Sequence, residues 1–389
     1  MESIVVIGGG VIGSSTAYHL AMAGLADAVT VLEPDPTYEL AATPKSTGGV
    51  RVQFSVPENI RLSQYGHAFY GSFAERMAVD GEAPDIGMVR RGYLYLGQGR
   101  AHEEVLATNQ RIQATEGAEV LLLDAAQVKQ RFPSIEVDDV TIGAFSPNDA
   151  IIDPHAALMG LRRKAISLGV TYRRDRAVAL ESRGRRVSVV ALESGMRLEP
   201  RWVVNAANCW APPLCEMVGM KVPVAPLHRA TFYFECRAEF EQMPLVRHLG
   251  VSGSYRQEGR GFITGYTPYD ARPGFCWDVD HSVFDEILWP SLARRVKAFE
   301  AIKPIRAWAC HYDQNSLDQN LIIGAWPGHL ENFLIACGLS GHGLQQAPAI
   351  GRALAELITH GRYQTIDLVR FGYQRVLDGQ PLAETGPIA

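Results

Sequence analysis

A chain of 389 residues with a formal net charge of −5 lacks the basic surface that phosphate backbones require, which excludes nucleic acid as a main partner. With 47% apolar and 20% charged residues it has an ordinary globular make-up, and its length suits two interwoven domains better than one core. No stretch reaches the about 20 consecutive apolar residues that span a bilayer. The first apolar run enters a glycine loop rather than a cleavage site, and the six cysteines contain no CxxC pair, so a cytoplasmic protein with reduced thiols is expected.

The first element, Ser3–Gly8, is a short β-branched run of the kind buried in a parallel sheet. It enters Gly8-x-Gly10-x-x-Gly13. The pattern predicts a helix over Ser14–Ala23, with Ala17, Leu20 and Ala21 inward and Gly24 as its stop. A second strand, Ala28–Leu32, ends at Glu33. This unit is built to bind a dinucleotide. The first glycine permits the turn, the second admits a pyrophosphate to the backbone, and the third lets helix and strand pack closely beneath a helix N-terminus. Glu33 stands 20 residues beyond Gly13, where a carboxylate accepts both ribose hydroxyls and disfavours a 2′-phosphate. NAD and FAD remain equally compatible at this point.

Further along, Val203–Ala207 ends another buried strand, and alternation predicts strands at Ala230–Phe234 and Gly261–Gly265. Tyr255 and Arg256, just before a turn at Glu258-Gly259, are carboxylate-binding candidates, a hydroxyl beside a forked donor. Asn332–Cys337 reads as a strand. The loop Gly338-Leu-Ser-Gly-His-Gly343 and a helix from about Gln346 to Thr359 follow, with Ala349, Gly351, Ala353 and Ala355 allowing close packing against a sheet. A second glycine loop thus feeds a second helix N-terminus. NAD needs one such loop; the longer FAD, whose reduced flavin carries negative charge near N1 and the C2 carbonyl, gains from two. The eleven histidines have no metal-ligand spacing, and no metal is expected.

These pieces, together with Ser46-Thr-Gly-Gly-Val-Arg51 and Trp210, resemble the D-amino-acid oxidase and sarcosine oxidase family of FAD enzymes over nearly the whole chain. The stretches Tyr312–Gly324 and Gly341–Pro348 look closest to the branch that includes the mitochondrial FAD-dependent oxidoreductase domain-containing protein. The resemblance implies an α/β fold with two parts. One is a Rossmann-like FAD-binding domain of discontinuous chain, residues 1–85, 146–222 and 320–389. The other is a substrate domain of residues 86–145 and 223–319, built on an antiparallel sheet.

It also implies residue roles. Gly8, Gly10, Val11, Ile12, Gly13 and Glu33 hold the adenosine half, with the Val178 backbone at adenine and Ala206, Ala207 and Trp210 against the dinucleotide. Ser46, Thr47, Gly48, Gly49 and Val50 pass over the pyrophosphate and flavin, and Arg51 lies beside the flavin ring. Gly338, Ser340, Gly341, His342, Gly343, Leu344 and Gln345 complete the cofactor set. Asn208 replaces a family glycine, and asparagine tolerates the left-handed conformation best among substitutes. Cys310 matches a cysteine that some relatives bond to the flavin. Both a covalent link and a free buried thiol stay open, the thiol being favoured. Tyr312 matches a substrate-facing tyrosine, and His311 helps shape the pocket. Gln345 replaces an oxygen-activating lysine, which points to a dehydrogenase or a slow oxidase. The implied reaction is oxidation of the C–N bond of an amino acid or N-substituted amino acid, with oxygen or another acceptor. An NAD-dependent dehydrogenase, or a catalytically weak flavoprotein subunit in a homo- or hetero-oligomer, are the alternatives.

Overall fold

The computed structural model describes residues 3–251, 253–266 and 272–386. Among these, a six-stranded sheet runs in the order Ile322–Trp326, Leu330–Cys337, Trp202–Asn205, Ile4–Ile7, Val29–Leu32, Thr171–Arg173. All neighbours are parallel except the first pair. The central strand Ile4–Ile7 is buried on both faces, as its unbroken apolar run requires.

The helix of the glycine loop spans Val11–Leu20 and so starts inside the loop, earlier than the pattern suggested; a π turn, Ala21–Leu25, then carries it to Gly24 at φ +81°. The carboxy-terminal helix likewise begins at Gly343 and runs to His360. Its small residues seat it on the Val11–Leu20 helix rather than on a sheet. A Cβ at Gly351 would lie 2.2 Å from Ser15 Oγ and 2.5 Å from the Ser15 carbonyl carbon. The two helices that follow the glycine loops are thereby held against each other.

The second large sheet has eight strands among the described residues, ordered Ile302–Asn315, Val224–Cys236, Gly261–Tyr266, Ser254–Glu258, Leu245–His248, Tyr93–Gly97, Ile142–Ser146, Leu121–Leu123. It is antiparallel apart from the Leu245–His248 and Tyr93–Gly97 pair. Strand alternation divides its side chains between two faces. Phe232, Phe234, Val246 and Tyr255 pack into a core with Leu288, Leu292 and Phe299. The opposite face carries Arg229, Thr231, Cys310 and Tyr312 over a cavity. No helix among the described residues is long and apolar enough to cross a membrane.

Candidate active site

Parallel pairing of Ile4–Ile7 with both Val29–Leu32 and Trp202–Asn205 brings Gly8, Glu33 and Ala206 to one end of the sheet. A Cβ at Gly13 would stand 1.8 Å from the Gly8 carbonyl oxygen, so packing alone demands that glycine. A Cβ at Gly10 would meet nothing within 4 Å; open space borders the backbone there, and no side chain caps the helix that follows. Glu33 accepts hydrogen bonds from Gly9 N at 2.9 Å and Asp35 N at 3.0 Å. Burial pushes its carboxyl above the usual range, and the two N–H groups pull it back. Asn208 adopts φ +52°, the left-handed conformation that its place in the motif calls for. Val178 and Trp210 are exposed, and Trp210 stacks on Phe275 with centroids 5.2 Å apart.

At the other loop, the buried Asp313 carboxylate accepts from Leu339 N at 3.1 Å, and Asn315 N donates to Ser340 Oγ at 3.0 Å. Burial raises Asp313 to about 6, with the loop N–H groups acting against it. Gln345 Oε1 accepts from Arg51 N at 2.9 Å, fastening Ser46–Arg51 to the helix start. The Arg51 guanidinium lies 4.0 Å over the Phe54 ring, donates one bond to Gln53 O, and keeps Nη2 buried without a partner. His342 meets Phe54 edge-on at 5.0 Å; burial, then Arg51 and Arg247, hold it neutral.

Between these loops and the eight-stranded sheet lies a cavity of about 500 Å3. Cross-strand register sets Arg229 opposite Cys310 and Leu227 opposite Tyr312, on the face turned to the cavity. Arg229 is 8% exposed, rides 4.4 Å over the Tyr312 ring, and leaves Nε without a partner. Lys45, Arg51, Arg229, Arg247 and Arg256 border the cavity, and among the described residues no Asp or Glu does. Burial pushes the Cys310 thiol up to about 11 against the pull of Arg229 and Lys45.

The arrangement fits a flavin dinucleotide: an open backbone cradle at Gly10, two uncapped helix N-termini, and orphaned buried atoms at Ser46 Oγ, Arg51 Nη2 and His342 Nε2. A family profile described as FAD dependent oxidoreductase (DAO) matches residues 3–357. The chain belongs to this family of FAD-dependent oxidoreductases. It is 35% identical to the FAD-dependent oxidoreductase domain-containing protein 1 of Bos taurus, over 98% of this chain and 86% of that one. It is also 27% identical to the mitochondrial sarcosine dehydrogenase of Mus musculus over 92% of this chain, but spans only 40% of that longer protein. Among solved structures, L-proline dehydrogenase from P. horikoshii matches with a TM-score of 0.88 and 25% identity, covering 98% of this chain and 99% of that one.

Within this FAD-dependent oxidoreductase, Tyr255 and Arg256 both border the cavity and His311 does not, and the side chains of all three are engaged elsewhere. Tyr255 turns to the core face of its strand, 2% exposed, with its ring edge-on to Phe299 at 5.5 Å. Arg256 does face the cavity, but its Nε donates to Thr47 O at 2.6 Å and its Nη1 pairs with Glu258, so it is already engaged. His311, between Cys310 and Tyr312, points the other way and accepts from Cys276 N at 2.9 Å. Arg229 is the residue that the sequence reading missed. Its signal was available: in His228-Arg-Ala-Thr-Phe-Tyr-Phe234, alternation puts Arg229 opposite the apolar Ala230, Phe232 and Phe234 face.

Proposed function

We propose that the protein oxidises the C–N bond of an amino acid or N-substituted amino acid. The observation carrying this reading is Arg229, a buried guanidinium with no acidic partner among the described residues, in a cavity that no described Asp or Glu borders. A substrate carboxylate supplies the missing counter-charge, and its pairing with the Nε–H completes the arginine's donor set. Tyr312, beneath the guanidinium, limits its freedom and aims it.

Gly8, Gly10, Gly13 and Glu33 would hold the adenosine half of FAD, with Ser46–Arg51 and Gly338–Gln345 at the flavin. The chemistry that FAD supplies when bound is acceptance of a hydride from the substrate's α carbon, leaving an imine that water hydrolyses. The chain's own task is orientation and electrostatics. The buried Arg229 and Arg51 guanidiniums, neither paired with a described carboxylate, disfavour a substrate ammonium, so the amine enters in its neutral, reactive form. His342, kept unprotonated, and the amide of Gln345 add no charge of their own. Gln345 also carries no charge to stabilise superoxide, which favours an acceptor other than oxygen. The names of the related L-proline and sarcosine dehydrogenases lean the same way.

The test is an anaerobic titration of the FAD-loaded protein with amino and N-alkyl amino acids, each beside its decarboxylated counterpart. Bleaching of the flavin by the acids at a rate at least about a hundredfold above that of the amines supports the reading; equal rates for both remove it.

A further inference from the structure

Arg51 borders the catalytic cavity and opens a segment, Arg51–Val56, that is neither strand nor helix. Side chains from distant parts of the chain hold its backbone instead. Arg51 N donates to Gln345 Oε1 at 2.9 Å, Val52 N donates to Asp149 Oδ1 at 3.1 Å, and Phe54 O accepts from Gln113 Nε2 at 2.9 Å. The far end of the segment is held by Glu384. Its Oε2 accepts from Ser55 N, from Ser55 Oγ at 2.6 Å and from Val56 N at 3.1 Å. We propose that Glu384 is a positioning residue for Arg51, pinning Ser55 and Val56 so that the guanidinium stays at the flavin. The proposal rests on the placement of Arg51 beside the flavin given above.

A fourth donor, Asn59 Nδ2, reaches Glu384 Oε1 at 2.6 Å. Asn59 lies in the first turn of the Pro57–Gly71 helix, whose preceding residue, Val56, has no side-chain acceptor to cap it. A carboxylate at that end also meets the positive pole of the helix. Asn59 Oδ1 accepts in turn from Gln346 Nε2 at 3.1 Å, beside the Gln345 that holds Arg51 N. One network therefore grips both ends of the segment. Glu384 is itself fastened on either side: Leu382 N donates to Asp318 Oδ2 at 2.9 Å, and Thr385 N to Ser55 Oγ at 2.6 Å.

The guanidinium takes its aim from the segment that carries it. Its Nη1 donates to Gln53 O at 2.5 Å, and it lies 4.0 Å over the Phe54 ring. Both supports sit directly before Ser55, so releasing Ser55 and Val56 loosens them. A glutamine at 384 keeps one acceptor oxygen but turns its NH2 towards either the Ser55 and Val56 donors or the Asn59 donor, and loses bonds whichever way it faces.

The test is the midpoint potential of the bound flavin, from anaerobic reductive titration against a reference dye, in the unaltered protein, Glu384→Gln, Arg51→Gln and the double variant. A cation beside the flavin stabilises its reduced, anionic form. Arg51→Gln should therefore lower the reduction equilibrium constant about tenfold, which is about 30 mV for a two-electron couple. Glu384→Gln should lower it about threefold to tenfold, and should add nothing in the Arg51→Gln background. The sign is informative, because deleting a negative charge that acted on the flavin through space alone would raise the potential. Should Glu384→Gln not fold, Ser55→Ala, which removes one donor to the carboxylate, lowers the constant about threefold, again only while Arg51 is present. A potential left unchanged or raised in Glu384→Gln, with only the melting temperature reduced, would make Glu384 a helix cap and overturn the proposal, as would additive losses in the double variant. An unchanged potential in Arg51→Gln would overturn the placement of Arg51, and the proposal with it.

Discussion

Replacing Arg229 by Gln tests the substrate anchor while keeping a polar side chain of similar length. The guanidinium is 8% exposed, stacks at 4.4 Å on Tyr312, and faces a cavity that no described Asp or Glu borders. A substrate carboxylate entering that space is desolvated, and removing its cation leaves a buried charge unpaired, at a loss of about 3 to 4 kcal/mol. At about 1.36 kcal/mol per decade, kcat/KM should fall by about two to three decades. Anaerobic stopped-flow records the decay of the oxidised flavin band against substrate concentration. The loss should appear for the amino acid and vanish for the same amine without its carboxylate. An equal loss for both would mean that Arg229 supports the fold of the cavity and not the substrate, and the reasoning would fail.

Other outcomes follow from the same structure. If Glu33 accepts the ribose hydroxyls as its place in the motif implies, Glu33→Gln should lower FAD affinity about tenfold to a hundredfold by fluorescence titration of the apoprotein. Because burial raises the Cys310 thiol to about 11, it stays protonated at neutral pH; acid precipitation of the holoprotein should release the flavin into the supernatant. Thermal stability should decline as pH falls from 6.5 towards 4. His248 and His311 are lowered from 6.5 to about 4, chiefly by burial, so the unfolded chain takes up these protons first. His19 and His342 are lowered as well and add to this; Asp313, raised to about 6, and the raised Glu33 and Asp149 work in the opposite sense, three carboxyls against four imidazoles. A melting temperature that rose on acidification over this range would contradict the assignment.

The dinucleotide unit was legible because Gly8, at φ +100°, and Gly13, with its 1.8 Å approach to the Gly8 carbonyl oxygen, answer local demands, while Gly10 leaves its backbone open. Spacing also foretold the second helix N-terminus, although not that it would pack on the first helix through Gly351 and Ser15. The substrate side was harder to read. Tyr255 and Arg256 are adjacent in sequence, yet a strand turns neighbours to opposite faces, and only the register with Gly261–Tyr266 decides which one reaches the cavity. The same parity separates His311 from Cys310 and Tyr312. Alternation in its own strand sets Arg229 on the polar face, but that this face meets Cys310 and Tyr312 depends on a strand pairing that no local pattern specifies.

The most direct test of the account is anaerobic mixing of the FAD-loaded protein with a panel of amino acids and N-alkyl amino acids. Full bleaching of the flavin by at least one carboxylate-bearing amine, abolished or slowed about a hundredfold in Arg229→Gln, is the predicted result. A flavin that no member of the panel reduces, while dithionite still does, would contradict it.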